Sequence, residues 1–311
     1  MARLKFAKHM KTILNQQSIP FGLGLVHSRV RLQANLQGMP EAYMLTKKDA
    51  GVFLLGDKQS IGAVCASHDV PKRKKQVIVE QWNSVDVKAQ VDIRVAPDSV
   101  LHYIVLPTSK KILNKMHSID RRITVGKNAC VIFTELSAQT VDRVSQTQIS
   151  LVAEGAKAKL NTAFIGQGAE THHLIHHVYL AAKQTEATID SYGLLQEKSR
   201  GIYRAQIMME KGVTGAKGKQ SAHVLLDGKD VRIDAVPELD VAHNLVQCEH
   251  GVSISQMNED SLFYAQSRGI SKKQAQAMIK KAHIEQVVSQ VPKGEIKEKL
   301  NKMIGDILFL I

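Results

Sequence analysis

Two short stretches of this sequence concentrate side chains that bind metals or act as nucleophiles. The first, Gln247-Cys248-Glu249-His250-Gly251, carries a thiol, a carboxylate and an imidazole at consecutive positions. On a β-strand, Cys248 and His250 would face one side and Glu249 the other. A thiolate beside an imidazole suits iron, zinc or an iron–sulfur unit. The alternative is a buried free cysteine beside a structural histidine, because cysteine is often buried.

The second stretch runs from Thr171 to His177 and is rich in histidine. On a strand, His172 and His176 share one face, whereas His173 and His177 share the other. Each pair has the chemistry to bind a metal, since neutral imidazole is a common ligand. No third ligand stands nearby in the sequence. Structural histidines along one face of the fold are therefore the favoured interpretation.

Motifs that hold common cofactors are missing from the sequence. It contains no GxxxxGK[ST] phosphate loop, no GxGxxG dinucleotide fingerprint, and no HExxH, GxSxG or paired CxxC motif. Their absence argues against an enzyme that uses one of these cofactors or nucleophiles. Hydrolases whose carboxylates converge only in three dimensions stay open.

Composition sets the broad class of the protein. The chain has 311 residues, of which 44% are hydrophobic and 23% charged, as in ordinary globular proteins. The net charge of +13 fits nucleic acid, an acidic protein or an anionic surface as a partner. Three widely spaced cysteines form no disulfide framework, which predicts a reducing compartment, the cytoplasm. The sequence has no run of eighteen apolar residues, the length that would predict a membrane span.

The chain divides into three zones, which we expect to be its domains. Residues 1–75 are a mixed or helical N-terminal segment, with a surface amphipathic helix predicted over Met1 to Gln17. Residues 76–257 alternate apolar with polar side chains and are rich in β-branched residues, which predicts many short strands. Residues 258–311 change to helical spacing.

The middle zone has a loose period. Turn-like landmarks recur at Ser99, Ala129, Ala156, Glu186 and Val213, at intervals of 30, 27, 30 and 27 positions. Periods of about 20 to 50 residues are typical of solenoids and propellers, and coils of a solenoid bury their apolar faces by stacking. We therefore expect a mainly β fold, a β-solenoid. The alternative is a sandwich of evenly spaced hairpins, which the scarcity of hairpin-turn dipeptides disfavours.

The C-terminal zone predicts three helices. Asn258 is placed to cap the first, which Gly269 closes. Ser271 and Gln274 form a capping box for the second, which Pro292 stops. A stripe at helical spacing follows in the second helix, formed by Ala275, Met278, Ile279 and Ala282. A third short helix is predicted from Glu295 to Leu308.

At four places the sequence resembles the SufB/SufD family of iron–sulfur cluster assembly proteins. The matching segments are Pro237-Glu238-Leu239-Asp240-Val241, Val246-Gln247-Cys248-Glu249-His250-Gly251, Leu262-Phe263-Tyr264 and Ser267-Arg268-Gly269-Ile270. Their order and spacing agree with the family pattern over about residues 165–285. Any one segment would be weak, but the combination is specific, and Cys-x-His-Gly leans to the SufD side.

The resemblance implies a right-handed parallel β-helix with a C-terminal helical region, serving as a scaffold in the Suf assembly machine. It implies an ABC-type ATPase, SufC, docking on the C-terminal helices, and a second SufB/SufD-type subunit, or a copy of this chain, packed on the β-helix. It implies a transient iron–sulfur cluster and no catalysis by the chain itself. The expected ATPase-docking residues are Leu262, Phe263, Tyr264, Arg268, Gly269 and Met278.

Residue by residue, His250 matches the histidine that the family associates with cluster formation at the subunit interface, and Cys248 matches the neighbouring cysteine. Glu249 is not part of the family pattern, and we add it on chemical grounds. The sequence leaves open whether the assembly is homomeric or heteromeric, and whether a flavin binds, as the family associates with complexes that contain SufB.

Two other classes of function compete with the scaffold. A β-solenoid carbohydrate enzyme would need carboxylates on one face of adjacent coils, for which Asp190, Asp234 and Asp240 are candidates. A nucleic-acid binder would use the basic run Lys72 to Lys75 and would lose affinity steeply with salt. The low aromatic content, 5%, disfavours the first, and a charge run is more often a solvated loop.

Overall fold

The computed structural model describes residues 43–47, 52–56, 62–81, 87–107, 117–138 and 143–309. The amphipathic helix expected over Met1 to Gln17 lies outside these ranges. Within them, no helix combines the length and the apolar composition that crossing a membrane requires.

Strands dominate the described chain up to residue 256 and form two sheets. Their bounds are β1 Tyr43–Lys47, β2 Val52–Gly56, β3 Gly62–Val70, β4 Lys75–Gln81, β5 Val87–Val95, β6 Val100–Val105, β7 His117–Val125, β8 Cys130–Ser137, β9 Arg143–Leu151, β10 Lys157–Gly166, β11 Thr171–Leu180, β12 Glu186–Gln196, β13 Arg200–Met209, β14 Lys217–Asp227, β15 Arg232–Val241 and β16 Gln247–Gln256. Sheet A has the order β1-β2-β4-β6-β8-β10-β12-β14-β16, and sheet B has the order β15-β13-β11-β9-β7-β5-β3.

Successive strands from β3 to β16 alternate between the two sheets, so each coil of the chain adds one strand to each sheet. Apart from the antiparallel pair β1 and β2, the strand pairings in the described part of the chain are parallel. This arrangement is a β-solenoid, which confirms the predicted fold and excludes the hairpin sandwich. Strands β1 to β3 fall within residues 1–75, so the strand structure begins ahead of the zone in which alternation is plainest.

The turns before the sheet A strands explain the loose period. Asn128, Gly155 and Gln184 occupy one column of residues with positive φ, and each donates its amide hydrogen to a carbonyl of the following coil. The next column member, Gly215, follows a longer turn that also contains Gly212 at positive φ. As a result the in-register residues Cys130, Lys157, Glu186 and Lys217 are 27, 29 and 31 positions apart. The landmark at Val213 therefore lies two positions before Gly215, the positive-φ residue of its turn.

The core lies between the two sheets and is built by the alternation within each strand. In β13 and β14 every second side chain is buried, in the pattern expected for strands with one inward face. Parallel in-register pairing then stacks inward residues of successive coils on one another, as with Tyr103 and Phe133, whose rings stack with centroids 5.5 Å apart. Burial of these rows by stacking is what stabilises each coil.

Three α-helices and a 3₁₀ helix follow β16: α1 Glu259–Ser267, α2 Lys272–Glu285, the 3₁₀ helix Gln286–Gln290 and α3 Glu295–Phe309. Asn258 caps α1 by accepting a hydrogen bond from the amide of Ser261 at 3.0 Å. Ser271 and Gln274 form the capping box of α2. Gly269, at φ +84°, lies just beyond α1. These observations confirm the predicted helical region and its caps.

The helical region packs on the outer face of sheet A. Ile284, Val288 and Ile304 share an apolar cluster with sheet residues such as Leu194 and Leu225. The predicted stripe on α2 is only half correct, because Ala275 is buried whereas Met278 is 56% exposed. The helix instead uses Lys280, whose ammonium reaches Gln196 and Asp227 at 2.6 Å each, as part of its packed face.

Candidate functional site

The Cys-Glu-His stretch lies on β16, the last strand of the solenoid. β16 pairs in parallel with β14, with Cys248 opposite Gly218, Glu249 opposite Lys219 and His250 opposite Gln220. In β14, Gly218 and Gln220 face the core. In-register pairing keeps neighbouring side chains on the same face, so Cys248 and His250 share the core-facing side, about 7 Å apart along the strand.

No further coil covers this side of β16 in the described structure, and both Cys248 and His250 are exposed. Both side chains point in the same direction as the core residues of β14, but both are open to solvent. Glu249 points to the outer face of sheet A, where the Lys219 ammonium lies 2.6 Å from its carboxylate. The structure therefore brings Cys248 and His250 together and separates Glu249 from them.

The backbone of β16 also presents a continuous free edge. The amide of Gln247 bonds to the carbonyl of Ala216, just before β14, so alternation directs the amides of Cys248, His250, Val252 and Ile254 away from β14. β16 contains no proline. Unpaired strand edges of this kind are templates for another strand.

The matching edge of sheet B is interrupted. The amide of Arg232, the first residue of β15, bonds to the Ser199 carbonyl just before β13, and the amide of Ala242, just after β15, bonds to Met209. This alternation places Pro237 among the residues whose nitrogens face the open side. Proline has no amide hydrogen, so this edge lacks a donor at its middle. Of the two edges at this end of the solenoid, β16 is the one that can accept a full partner strand.

The end of the solenoid is apolar as well as open. Val241, Leu245 and Ile254 are 38%, 64% and 49% exposed, and all three belong to the last coil or its connecting turn. Repeat proteins need a polar cap or a partner at such an end, because each coil buries its face against the next.

The histidine-rich stretch forms β11, and its pairing with β13 shows the predicted two faces. His172 and His176 lie beside Gly201 and Ala205 on the inward face, where they are 1% and 0% exposed. Four positions along a strand span about 13 Å, too far for one metal to join both. Among the described residues, no group of three or more His, Cys, Asp or Glu side chains is placed to hold a metal ion. The strand thus keeps His172 and His176 too far apart to share one metal ion.

A buried ionic cluster lies inside the solenoid, and the sequence analysis missed it. Arg121 on β7 bonds to Glu80 on β4 at 2.5 and 2.7 Å and donates to the Ser145 hydroxyl at 2.7 Å. Glu135 accepts from Ser145 at 2.9 Å, and the Tyr103 hydroxyl donates to Glu80. The signal was present, since Arg121 falls on the same strand face as Ile119 and Ile123.

His176 occupies the interior next to this cluster. Its ring packs edge-on against Phe133 and Tyr203, with centroids 6.4 and 6.1 Å away. Neither ring nitrogen has a hydrogen-bond partner among the residues that the structure describes. Burial lowers the pKa of His176 to about 4, because the charged ring would lose its hydration.

The residues expected to bind the ATPase occupy different environments. Phe263 and Tyr264 on α1 are 74% and 62% exposed. The Arg268 guanidinium stacks on the Tyr264 ring, 5.3 Å from its centroid. Leu262 is buried, which fits packing within the helical region. Gly269 has a positive φ that suits its place in the turn after α1.

The residues of the two competing functions do not converge. Asp190 lies on β12 at the outer face of sheet A, where it accepts a hydrogen bond from Ser221. Asp234 and Asp240 lie on β15 at the outer face of sheet B, and Asp234 pairs with Arg204 at 2.7 Å. The basic run Lys72 to Lys75 forms an exposed turn between β3 and β4. The geometry thus offers no carboxylate pair for glycoside hydrolysis from these three residues.

Known proteins match this chain over most of the solenoid and part of the helical region. The family described as "SUF system FeS cluster assembly, SufBD core domain" matches residues 70–283. The chain is 25% identical to the iron–sulfur cluster assembly protein SufD of Bacillus subtilis over 163 residues, 52% of this chain and 37% of that protein.

Two further relatives are iron–sulfur cluster assembly SufBD family proteins. That of Mycobacterium leprae is 25% identical over 217 residues, 70% of this chain and 24% of the relative. That of Staphylococcus saprophyticus is 26% identical over 220 residues, 70% of this chain and 46% of the relative. The chain thus spans less than half the length of these curated relatives. The family match covers most of this sequence, and the chain belongs to the SufBD core-domain family of iron–sulfur cluster assembly proteins.

Proposed function

We propose that this chain is a non-catalytic scaffold subunit of a Suf-type assembly complex, on which an iron–sulfur cluster is built transiently and handed over. The observation that carries the proposal is the shared, exposed, core-facing side of β16 on which Cys248 and His250 lie. Cys248 would bind iron as a thiolate or carry sulfide, and His250 would bind iron through a neutral ring nitrogen. Both groups suit the reducing conditions of the cytoplasm.

One chain supplies only half of such a site. Iron–sulfur clusters are commonly held by four protein ligands, whereas the shared face of β16 offers two. Glu249 does not complete the set within the chain, because it faces outward and pairs with Lys219. We therefore propose that the remaining ligands come from a second subunit.

The second subunit would meet the open end of the solenoid. The free edge of β16 accepts a strand, and the exposed apolar residues Val241, Leu245 and Ile254 would be buried by the same contact. A second copy of this chain would bring its own Cys248 and His250 to a two-fold interface. A different SufB/SufD-type chain would fill the same place with its own ligands.

The energy for cluster release would come from a separate ABC-type ATPase of the SufC kind. We propose that it docks on the helical region through Phe263, Tyr264 and Met278, which are large, apolar and exposed. Arg268 would hold the Tyr264 ring in place. Closure of the ATPase pair would displace α1 and α2 and thereby disturb the β16 interface.

Anaerobic reconstitution with ferrous iron and sulfide tests the site. We expect Cys248→Ala and His250→Ala each to reduce cluster yield at least about tenfold, in the range that loss of a metal ligand or its support produces. Gln247→Ala, an exposed change on the same strand, is the matched control and should retain yield. If both site variants assemble the same cluster with the same spectrum as the wild type, the site assignment is wrong.

Co-purification with a SufC-type ABC ATPase tests the docking surface. Phe263→Glu and Met278→Glu should abolish capture, since a buried charge opposes an apolar interface. Lys281→Glu, on the same helix as Met278, is the control for a change of surface charge. Capture that survives both glutamates would remove this surface from the proposal and leave the β16 site unaffected.

A further inference from the structure

A row of rings on the outer face of sheet A runs from α2 to the terminal strand. Tyr192 on β12 and His223 on β14 are in register, and their rings stack with centroids 5.6 Å apart. His283 of α2 packs edge-on against Tyr192 at 5.8 Å. At the other end, His223 Nδ1 lies 2.8 Å from Ser253 Oγ on β16. We call these four residues the outer strip.

The helix end of the outer strip is fixed by a backbone hydrogen bond. His283 Nε2 donates to the carbonyl of Gly193 on β12 at 3.0 Å. The ring also lies close enough to His223 on β14 for the backbone and the charge of that residue to affect its pKa. One imidazole from α2 therefore contacts two adjacent strands of sheet A. Lys280, one turn earlier, secures the same helix to Asp227 of β14.

The strand end of the outer strip lies at an edge of sheet A. β16 pairs with β14 on one side only, and its side chains are exposed over almost its whole length. On the outer face, the described contacts from β14 to β16 are the Lys219–Glu249 pair and the His223–Ser253 contact. Of these two contacts, only the His223–Ser253 contact is connected to α2, through Tyr192 and His283.

We propose that the outer strip positions β16 from α2, so that the placement of the helix sets the placement of the terminal strand. Tyr192, His223, His283 and Ser253 are positioning residues, none of which touches the core-facing side of β16. The consequence for Cys248 and His250 rests on the proposed function. Displacement of α2 would reach their strand through three side-chain contacts rather than through the core.

The His283 imidazole makes this connection sensitive to protons. Burial lowers the pKa of His283, and the charge of His223 lowers it further. The groups that face His283 are Tyr192 on β12 and His223 on β14, while Lys280 on its own helix is paired with Asp227. Because the folded pKa lies below 6.5, the folded strip binds fewer protons than the unfolded chain. Its contribution is present above pH 6.5 and is lost as the pH falls below that value.

Hydrogen exchange of the full chain, without iron or sulfide, tests the strip. We expect Ser253→Ala and His283→Leu each to speed exchange of the β16 amides that hydrogen-bond to β14 by about three- to tenfold, because local opening of the strand becomes easier. The double variant should exchange no faster than the faster single variant, since both changes break the same connection. Tyr192→Phe should behave as wild type, and Tyr192→Leu should behave as His283→Leu.

Lys219→Gln is the matched control, because it breaks a β14–β16 contact that has no link to the helix. Its effect should add to that of His283→Leu. Additive effects of Ser253→Ala and His283→Leu, or unchanged β16 exchange in His283→Leu, would overturn the proposal. None of these outcomes depends on cluster assembly or on the ATPase.

If His283→Leu disturbs the docking of α2, a second measurement tests the same proposal without changing His283. Ser253→Ala changes an exposed residue that does not contact His283. We expect it nevertheless to shift the midpoint of the His283 titration measured by nuclear magnetic resonance, since it frees the His223 ring that faces His283. A midpoint identical to that of the wild type would overturn the proposal.

Discussion

Arg121 on β7 donates two hydrogen bonds to Glu80 on β4, which joins sheet B to sheet A across the interior of the solenoid, and neither side chain is exposed to solvent. Each charge has lost its hydration and depends on the other. The charge of Glu80 raises the pKa of Arg121 against the opposing effect of burial, so the guanidinium stays protonated.

Replacement of Arg121 by Met should therefore destabilise the protein by about 3–5 kcal/mol, because Glu80 and Glu135 would be left buried without their cation. Chemical denaturation measures this change in the free energy of unfolding. Arg204→Met is the matched control, since the Arg204–Asp234 pair is largely solvent-exposed and should contribute less than about 1 kcal/mol. Equal losses in the two variants would contradict the buried-pair assignment.

His176 should make the fold sensitive to acid. Its folded pKa is about 4, against an ordinary pKa of 6.5 for histidine, so the unfolded chain binds the proton first. Stability should be full above pH 6.5 and fall between 6.5 and about 4, by about 3 kcal/mol. His176→Leu should remove this part of the pH dependence. Denaturation midpoints at pH 7 and pH 4.5 measure it, and an unchanged slope in the variant would contradict the prediction.

Lys280 should be needed for docking of the helical region. Its ammonium lies 2.6 Å from both the Gln196 side-chain oxygen and the Asp227 carboxylate. We expect Lys280→Ala to weaken docking by about 1–3 kcal/mol, the range for hydrogen bonds to charged groups. Limited proteolysis between β16 and α3 would detect the loosened helices. Lys281→Ala, which breaks only an exposed pair with Glu285, should leave the cleavage rate unchanged.

Gln184 occupies the turn column with φ +55°, where a side chain is strained and glycine is not. Gln184→Gly should stabilise the protein by up to about 1 kcal/mol, since relief of strain exceeds the added freedom of the unfolded chain. Gly155→Ala should do the reverse, because the new Cβ would lie within van der Waals overlap of the Asn128 side chain. Thermal unfolding of both variants measures the two signs, and a shift in the same direction would contradict the prediction.

The sequence was sufficient for local structure and for which side chains share a strand face. The caps at Asn258 and Ser271 and the shared face of Cys248 and His250 follow from chemistry within a few residues, and all are present in the structure. The fold class followed from alternation and from a period of about one coil. Local rules hold here because parallel in-register stacking repeats the same geometry in each coil.

Tertiary structure alone decided which of those faces is covered. Met278 belongs to an apolar stripe but is exposed, while Lys280 is buried. Lys280 is buried because its ammonium binds the Gln196 and Asp227 side chains where the helix packs on the sheet. Arg121 is an interior residue only because Glu80, 41 positions earlier, stands opposite. The exposure of Cys248 and His250 follows from β16 being the final strand of the solenoid in the part of the chain that the structure describes. Contacts between distant residues, and the place of a strand at the end of the stack, are properties of the assembled solenoid, which no local pattern carries.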